Sequence, residues 1–242
     1  MGQAWSRFNK NRNAQTLHDL APERTPGHEN ALPELDRDTL IAGLTVMARY
    51  IESKKKEITI IAVGGAINTI YLRSRITTHD LDFFNNALEV KDYEQLLKGA
   101  KRAIEKIHAL QEEWFNNRTI FFIPMDQRNL LTRQAFQQNE IVFRATGLTV
   151  LAAPWHYAFC CKIDRLAGGG LKTGKSYDLD DAVQYIIQYI RRSNISQVPR
   201  STVEEWYIQY SLQWSLSVEQ ILIQANKLCR SKMGYQYDVI VM

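Results

Sequence analysis

The chain has 242 residues, 45% hydrophobic and 23% charged, which is ample for a buried core and ordinary for a globular protein. Thirty Lys and Arg against 26 Asp and Glu leave a net charge of +4, compatible with an anionic ligand or partner but too small to require one. Three cysteines, two of them adjacent (Cys160, Cys161), make neither a disulfide framework nor a CxxC metal pair, and no apolar run suits a membrane span or a signal-peptide core, so the expected setting is intracellular, cytoplasmic and reducing.

Residues 1–32 are polar and carry Pro22 and Pro26, as expected of a flexible arm. The start, Met-Gly-Gln-Ala-Trp-Ser, places Gly2 and Ser6 in the N-myristoylation pattern. Arg7, Lys10 and Arg12 follow, and a single acyl chain needs such an electrostatic second signal to hold a membrane. The same stretch is equally a polar start in which Gly2 has no role, so membrane association rests on the acylation of Gly2.

Between Leu35 and Lys54, Leu40, Ile41, Leu44, Met47, Ala48 and Ile51 recur at helical spacing. Ile58 to Val63 reads as a strand covered on both faces. A helix over 66–73 follows Gly64-Gly65, and a strand over 81–84 ends at Asn85-Asn86. Leu96, Leu97, Ala100, Ile104, Ile107 and Leu110 predict a helix over 93–110 with Lys98, Lys101, Arg102 and Lys106 largely off its apolar face. Strands are expected over 119–123, 140–144 and 148–151. Pro154 suits the first turn of a helix to about Leu166, and Leu179 to Ile190 carries the stripe of a second. After Pro199 two further helices are expected, with capping boxes at Ser201/Glu204 and Ser217/Gln220, and a short strand near the C-terminus.

The segment from Ala62 to Phe84 concentrates the chemistry. Gly64 and Gly65 stand where a strand becomes a helix, where glycine lets the backbone come close to a ligand and helix N–H groups suit an anion. Asp80 and Asp82 alternate along a strand, so both carboxylates share a face while Leu81 takes the other. Two parallel carboxylates repel unless a cation lies between them, and a hard cation such as magnesium prefers oxygen ligands completed by substrate phosphates.

Gly64-Gly65, Leu72-Arg73 and Thr77-Thr78-His79-Asp80-Leu81-Asp82 together resemble the nucleotidyltransferase superfamily of the polymerase-β type, and most nearly its minimal members, the abortive-infection toxin nucleotidyltransferases. A second block, Leu148 to Pro154, then Lys162, Arg165 and Tyr177-Asp178 to Asp181, is similar to that family's later pattern. The resemblance implies an α/β (α+β) fold with a small mixed sheet flanked by helices, the nucleotidyltransferase-like domain over 33–195, and a helical C-terminal extension over 196–242. It implies that Gly64 and Gly65 cradle the phosphates of an NTP and that Asp80 and Asp82 ligate Mg2+, or Mn2+. Lys162 would neutralise phosphate charge, Asp178 or Asp181 would orient that lysine or the nucleotide, and Arg75 and Thr78 would border the nucleotide. The activity implied is transfer of NMP from an NTP to an RNA, protein or small-molecule acceptor.

Two positions depart from the pattern. Arg75 lies five residues before Asp80, where the family spaces its arginine by four. The stretch from Trp114 to Ile123, where many active members carry a third carboxylate, has Asn116 and Asn117 and no acid; Asp126 and Glu140 are nearby substitutes. A catalytically inactive member of the fold, binding a nucleotide or a partner, is the alternative those asparagines suggest.

Gly169 to Ser176 matches the Walker A string, but a P-loop follows a buried strand, whereas the residues before this string scan as a helix. A basic loop at the mouth of a nucleotide cleft, with Lys172 and Lys175 in reach of phosphate, is the expected reading. The three acids at Asp178, Asp180 and Asp181 would also offset the positive end of their own helix.

Overall fold

A computed structural model describes residues 33–168 and 174–242. Gly2 and residues 169–173, which include Lys172 and the first five positions of the Walker-like string, lie outside the described residues.

The chain enters through a two-residue strand, β1 (Leu35–Asp36), and Asp36 caps helix α1 (Arg37–Ser53) by accepting the Thr39 N–H at 2.8 Å. Strand β2 (Ile58–Val63) follows, with Ile60, Ile61 and Ala62 fully buried. A three-residue helical turn, α2 (Gly65–Ile67), runs straight into a π-helical turn over Asn68–Leu72. Strand β3 (Thr77–Thr78) pairs with β1, and β4 (Leu81–Phe84) returns antiparallel to β2. Next come α3 (Val90–Lys106), the short β5 (Phe115–Asn116), a 3-10 turn over Arg118–Phe122 and α4 (Met125–Gln138). The hairpin β6 (Ile141–Ala145) and β7 (Leu148–Ala152) leads to α5 (Trp155–Leu166), α6 (Asp178–Ser193), β8 (Val198–Pro199), α7 (Arg200–Gln209), α8 (Leu216–Met233) and β9 (Ile240–Val241).

The fold is mixed α/β around one five-stranded sheet of order β5-β4-β2-β7-β6. Strand β2 lies at its centre, antiparallel to β4 and parallel to β7, which explains why its run is apolar without alternation. Helices α1 and α3 pack on each other, with Gly99 of α3 facing Met47 of α1. Helices α7 and α8 pack against α5 and α6. The C-terminal strand is fastened to α8 by Asn226, whose buried amide pairs with both the N–H and the C=O of Ile240.

Several expectations are corrected. The stretch 119–123 is a 3-10 turn rather than a strand, because the Arg128 guanidinium takes the Ile120 and Ile123 carbonyls at 2.9 and 3.0 Å. Strand pairing begins four residues earlier, at Phe115–Asn116. Helix α4 had no clear stripe in the sequence, since only Leu131, Thr132 and Ala135 are buried on it. The last two helices do not begin on the expected capping boxes: α7 starts after Pro199, and α8 is capped by the Ser215 hydroxyl, which accepts the Val218 N–H at 3.3 Å.

His156, at the start of α5, lies among the rings of Tyr189, Trp206 and Tyr210, with centroids 5.4 to 5.7 Å away. Burial among these rings pulls its pKa down to about 4 from an ordinary 6.5. A depressed pKa means the folded state resists a proton that the unfolded chain accepts. Stability is therefore full above pH 6.5 and falls as the pH drops toward 4, by about 3 kcal/mol in all. Urea unfolding measured from pH 7.5 to 4 should show that slope, and His156→Phe should remove its contribution.

Candidate functional site

The turn after β2 is built for close approach. Gly64 has φ +72° and ψ −142°, a backbone region that side chains avoid, and a Cβ there would meet nothing within 4 Å, so the space beside the turn is open. Gly65 is required for another reason: a Cβ would fall 2.2 Å from the Thr78 hydroxyl and 3.1 Å from a guanidinium nitrogen of Arg75. Thr78 is buried and wedges against the turn.

The turn is held from beneath by Asn68 on the π-helical segment. Its side-chain amide donates to the Gly64 carbonyl at 3.3 Å and to the Tyr185 hydroxyl at 2.6 Å, while its oxygen accepts from Ser74. Tyr185 in turn donates to the Gly64 carbonyl at 3.0 Å. Both side chains are fully buried, and burial pushes the Tyr185 phenol far above its ordinary pKa. Sequence reasoning missed this pair; a lone Asn in a short helix and a Tyr in an apolar stripe carry no signal until the fold joins them.

Asp82 on β4 lies opposite Val63, the residue before Gly64, so strand register sets one carboxylate-bearing residue beside the glycine turn. Asp80 stands two residues earlier, just outside the strand. On the other side, β5 runs parallel to β4 with Asn116 in register with Asp82. The Asn116 amide nitrogen lies 3.2 Å from an Asp80 carboxylate oxygen, and its oxygen accepts the Arg118 N–H at 3.1 Å. Asn116 thus directs an N–H to the Asp80 carboxylate from the strand beside β4. Arg118 was not singled out from sequence. Its pKa is held high first by its hydrogen bond to Glu113 and also by Asp82 and Asp80, so both aspartates lie within electrostatic reach of one guanidinium.

The second block forms a buried charge network. The Lys162 ammonium lies 2.8 Å from Asp178 and 2.7 Å from Asp181, with all three side chains at most 9% exposed. Arg165 also pairs with Asp178, and the Lys175 N–H donates to the same carboxylate at 2.8 Å. Arg75 forks onto Asp181 through two guanidinium nitrogens, and its guanidinium lies 3.5 Å from the Tyr177 ring centroid. Burial opposes the charge on Arg75, but the pair with Asp181 wins and its pKa rises. Burial likewise opposes the Asp178 carboxylate, and Lys162, the Lys175 N–H and Arg165 together hold its pKa below 3.8. Arg75 therefore ties the Lys162 network to the glycine turn, and Lys175 presents an exposed side chain at its rim.

Of the residues singled out from sequence, Gly64, Gly65, Arg75, Thr78, Asp80 and Asp82 belong to one connected strand–turn–strand region. Lys162, Asp178, Asp181 and Lys175 join it through Arg75. His79 lies apart, exposed and 3.3 Å from the Pro33 carbonyl. The Walker-like string follows helix α5 and not a strand, which removes the P-loop reading. Cys160 is buried, with its pKa raised by burial, so it is inert. Among the described residues no group of three or more His, Cys, Asp or Glu could hold a metal by itself; a cation beside Asp80 and Asp82 would need phosphate or water for most of its ligands. An open cleft of about 260 Å³, lined by Phe83, Asn86, Val90, Tyr93, Asn117 and Ile120, lies beyond the far end of β4 and does not include the glycine turn.

Residues 34–221 match a family described as a domain of unknown function, DUF7582. The chain belongs to this family. The matched span begins at the first strand and continues into α8, so it crosses the boundary drawn at 195 between domain and extension. No curated protein and no solved structure matches the chain. No helix among the described residues is long and apolar enough to cross a membrane.

Proposed function

We propose that this protein binds a magnesium–nucleoside triphosphate between the Gly64–Gly65 turn and the Asp80/Asp82 pair, and acts as a nucleotidyltransferase of the polymerase-β kind. The observation that carries the reading is the register of Asp82 opposite Val63, which brings a metal-ligating residue type beside an open glycine turn. Asp80 and Asp82 would hold the cation, and the open backbone at Gly64 would admit the triphosphate. An acceptor hydroxyl or phosphate on an RNA, a protein or a small molecule attacks the α-phosphorus. The bond to the β-phosphate oxygen breaks and pyrophosphate leaves. Such catalysis is mostly charge neutralisation and in-line positioning. Lys162 has both buried aspartates as partners, so its role is to hold the wall formed by α5 and α6, with Arg75 and Lys175 nearer the opening. The setting is intracellular, with membrane attachment if Gly2 is acylated.

A second reading has a specific observation behind it. Asn116 occupies the place of a third carboxylate, and an amide cannot accept the acceptor's proton. On that reading the protein binds the nucleotide and passes the bound state to a partner without transfer.

Labelled NTPs incubated with magnesium, total RNA and the full chain separate the two. Label transferred by the wild type and lost in Asp80→Ala/Asp82→Ala supports the transferase. Magnesium-dependent binding without transfer supports the second reading. Transfer unchanged in the double variant would sink both assignments of the site.

A further inference from the structure

Net charge is concentrated on two segments that the fold joins. Residues 49–57 and 91–106 hold nine cations and five acids, a net +4 equal to that of the whole chain. The fold brings the two segments together: the Tyr50 hydroxyl lies 3.2 Å from the Gln95 side-chain oxygen, and Lys56 pairs with Asp92. The charged groups of the face comprise both signs, with Glu52, Glu94 and Glu105 interspersed among the cations. Even so, Lys98 approaches Glu94 only at 3.9 Å with both side chains more than half exposed, and among the described residues Lys54 and Arg102 form no ion pair. Those two cations gather instead at one aromatic ring, 5.3 and 5.2 Å from the Tyr50 centroid. Drawing two like charges toward one ring, without a carboxylate between them, leaves a local positive field that an external anion can satisfy.

We propose that the outer face of the α1–α3 pair, centred on Lys54, Lys98 and Arg102, is a docking surface for an anionic lipid membrane. Seven of the nine cations are lysines, which act as point charges on flexible stems rather than as forks shaped for one phosphate. The aromatic ring at the centre is half-buried, its hydroxyl is engaged by Gln95 and cations lie near it, so it is not a platform for a nucleotide base. A lysine-rich helical face suits a sheet of anionic headgroups, each basic residue near the surface adding to the attraction. The sequence supplies the complementary half of such a signal: Gly2, outside the described residues, lies in a myristoylation pattern, and one acyl chain alone holds a membrane only marginally. The face lies at the start of β2, about 20 Å of strand from Gly64 at its end, so nucleotide binding and membrane docking need not compete.

The test uses unacylated full-length protein and vesicles of phosphatidylcholine with phosphatidylserine, compared with pure phosphatidylcholine. Co-sedimentation with the anionic vesicles alone, falling with added salt, is expected. Lys54→Glu/Lys98→Glu/Arg102→Glu should weaken it by about tenfold or more. Arg133→Glu/Arg144→Glu/Lys227→Glu changes net charge equally at exposed positions outside the two segments and should retain most binding. A melting curve shows that each variant is folded, and the salt dependence of the wild type is decisive should the first fail. Equal losses in the two variants, salt-insensitive binding, no binding to anionic vesicles, or binding to single-stranded RNA in preference to them would overturn the proposal.

Discussion

Asn116→Asp should raise magnesium-dependent NMP transfer by about 10²–10⁴-fold, the range that a positioned general base contributes. The substitution is nearly isosteric. Its remaining oxygen can keep the Arg118 N–H that Asn116 now accepts at 3.1 Å, so the backbone of β5 has no reason to move. What changes is the group aimed at Asp80: an amide N–H becomes a carboxylate in register with Asp82. Three acids then converge on one small region, and without a cation their repulsion lowers stability. The variant should accordingly melt lower than wild type in chelator and recover part of the difference when magnesium is added. Single-turnover transfer with labelled NTP and a paired thermal scan read both effects. Faster transfer with magnesium-dependent melting assigns Asn116 to the place of the missing acid. Slower transfer than wild type would mean that the amide itself contributes to the site.

Lys162→Met should lower stability by about 3 kcal/mol, at the low end of the cost of breaking a buried ion pair. The ammonium serves two carboxylates that are 0 and 1% exposed, and methionine keeps the unbranched stem, one atom shorter, while removing the charge. The cost stays at the low end because Arg165 still faces Asp178 and Arg75 still faces Asp181. For a chain of this size that energy corresponds to about 6–12 °C in melting temperature. The pH dependence identifies the cause. Asp178 has its folded pKa held below the unfolded 3.8, so it contributes stability that is complete above pH 3.8 and lost as the pH falls through the folded value. Removing Lys162 raises that folded pKa and moves the acid transition upward. A loss of stability with no change in the acid transition would point to packing rather than charge.

The strand–turn–strand core was legible in the sequence because its rules are local. An apolar run without alternation marked β2 as central and Gly64-Gly65 marked the turn, whereas of the two aspartates expected to alternate along one strand only Asp82 lies on β4. Helices α1, α3 and α6 announced themselves by period. The features that escaped depend on groups distant in sequence. Asn68 and Tyr185 meet across 117 positions, and Arg75 reaches Asp181 across 106. Arg128 takes two carbonyls that would otherwise have joined a sheet ladder, which is why 119–123 looked like a strand and folds as a 3-10 turn. The stretch from Trp114 to Ile123 was visibly without an acid, but only the parallel pairing of β5 with β4 shows that Asn116, rather than Asn117, lies in register with Asp82.

Isothermal titration of the protein with an NTP, in magnesium and in chelator, reads the nucleotide site itself. Binding should require magnesium in the wild type, disappear in Asp80→Ala/Asp82→Ala, and persist in Lys54→Glu/Lys98→Glu/Arg102→Glu. Binding that ignores magnesium and survives loss of both aspartates, or no binding of any NTP, would contradict the proposed site.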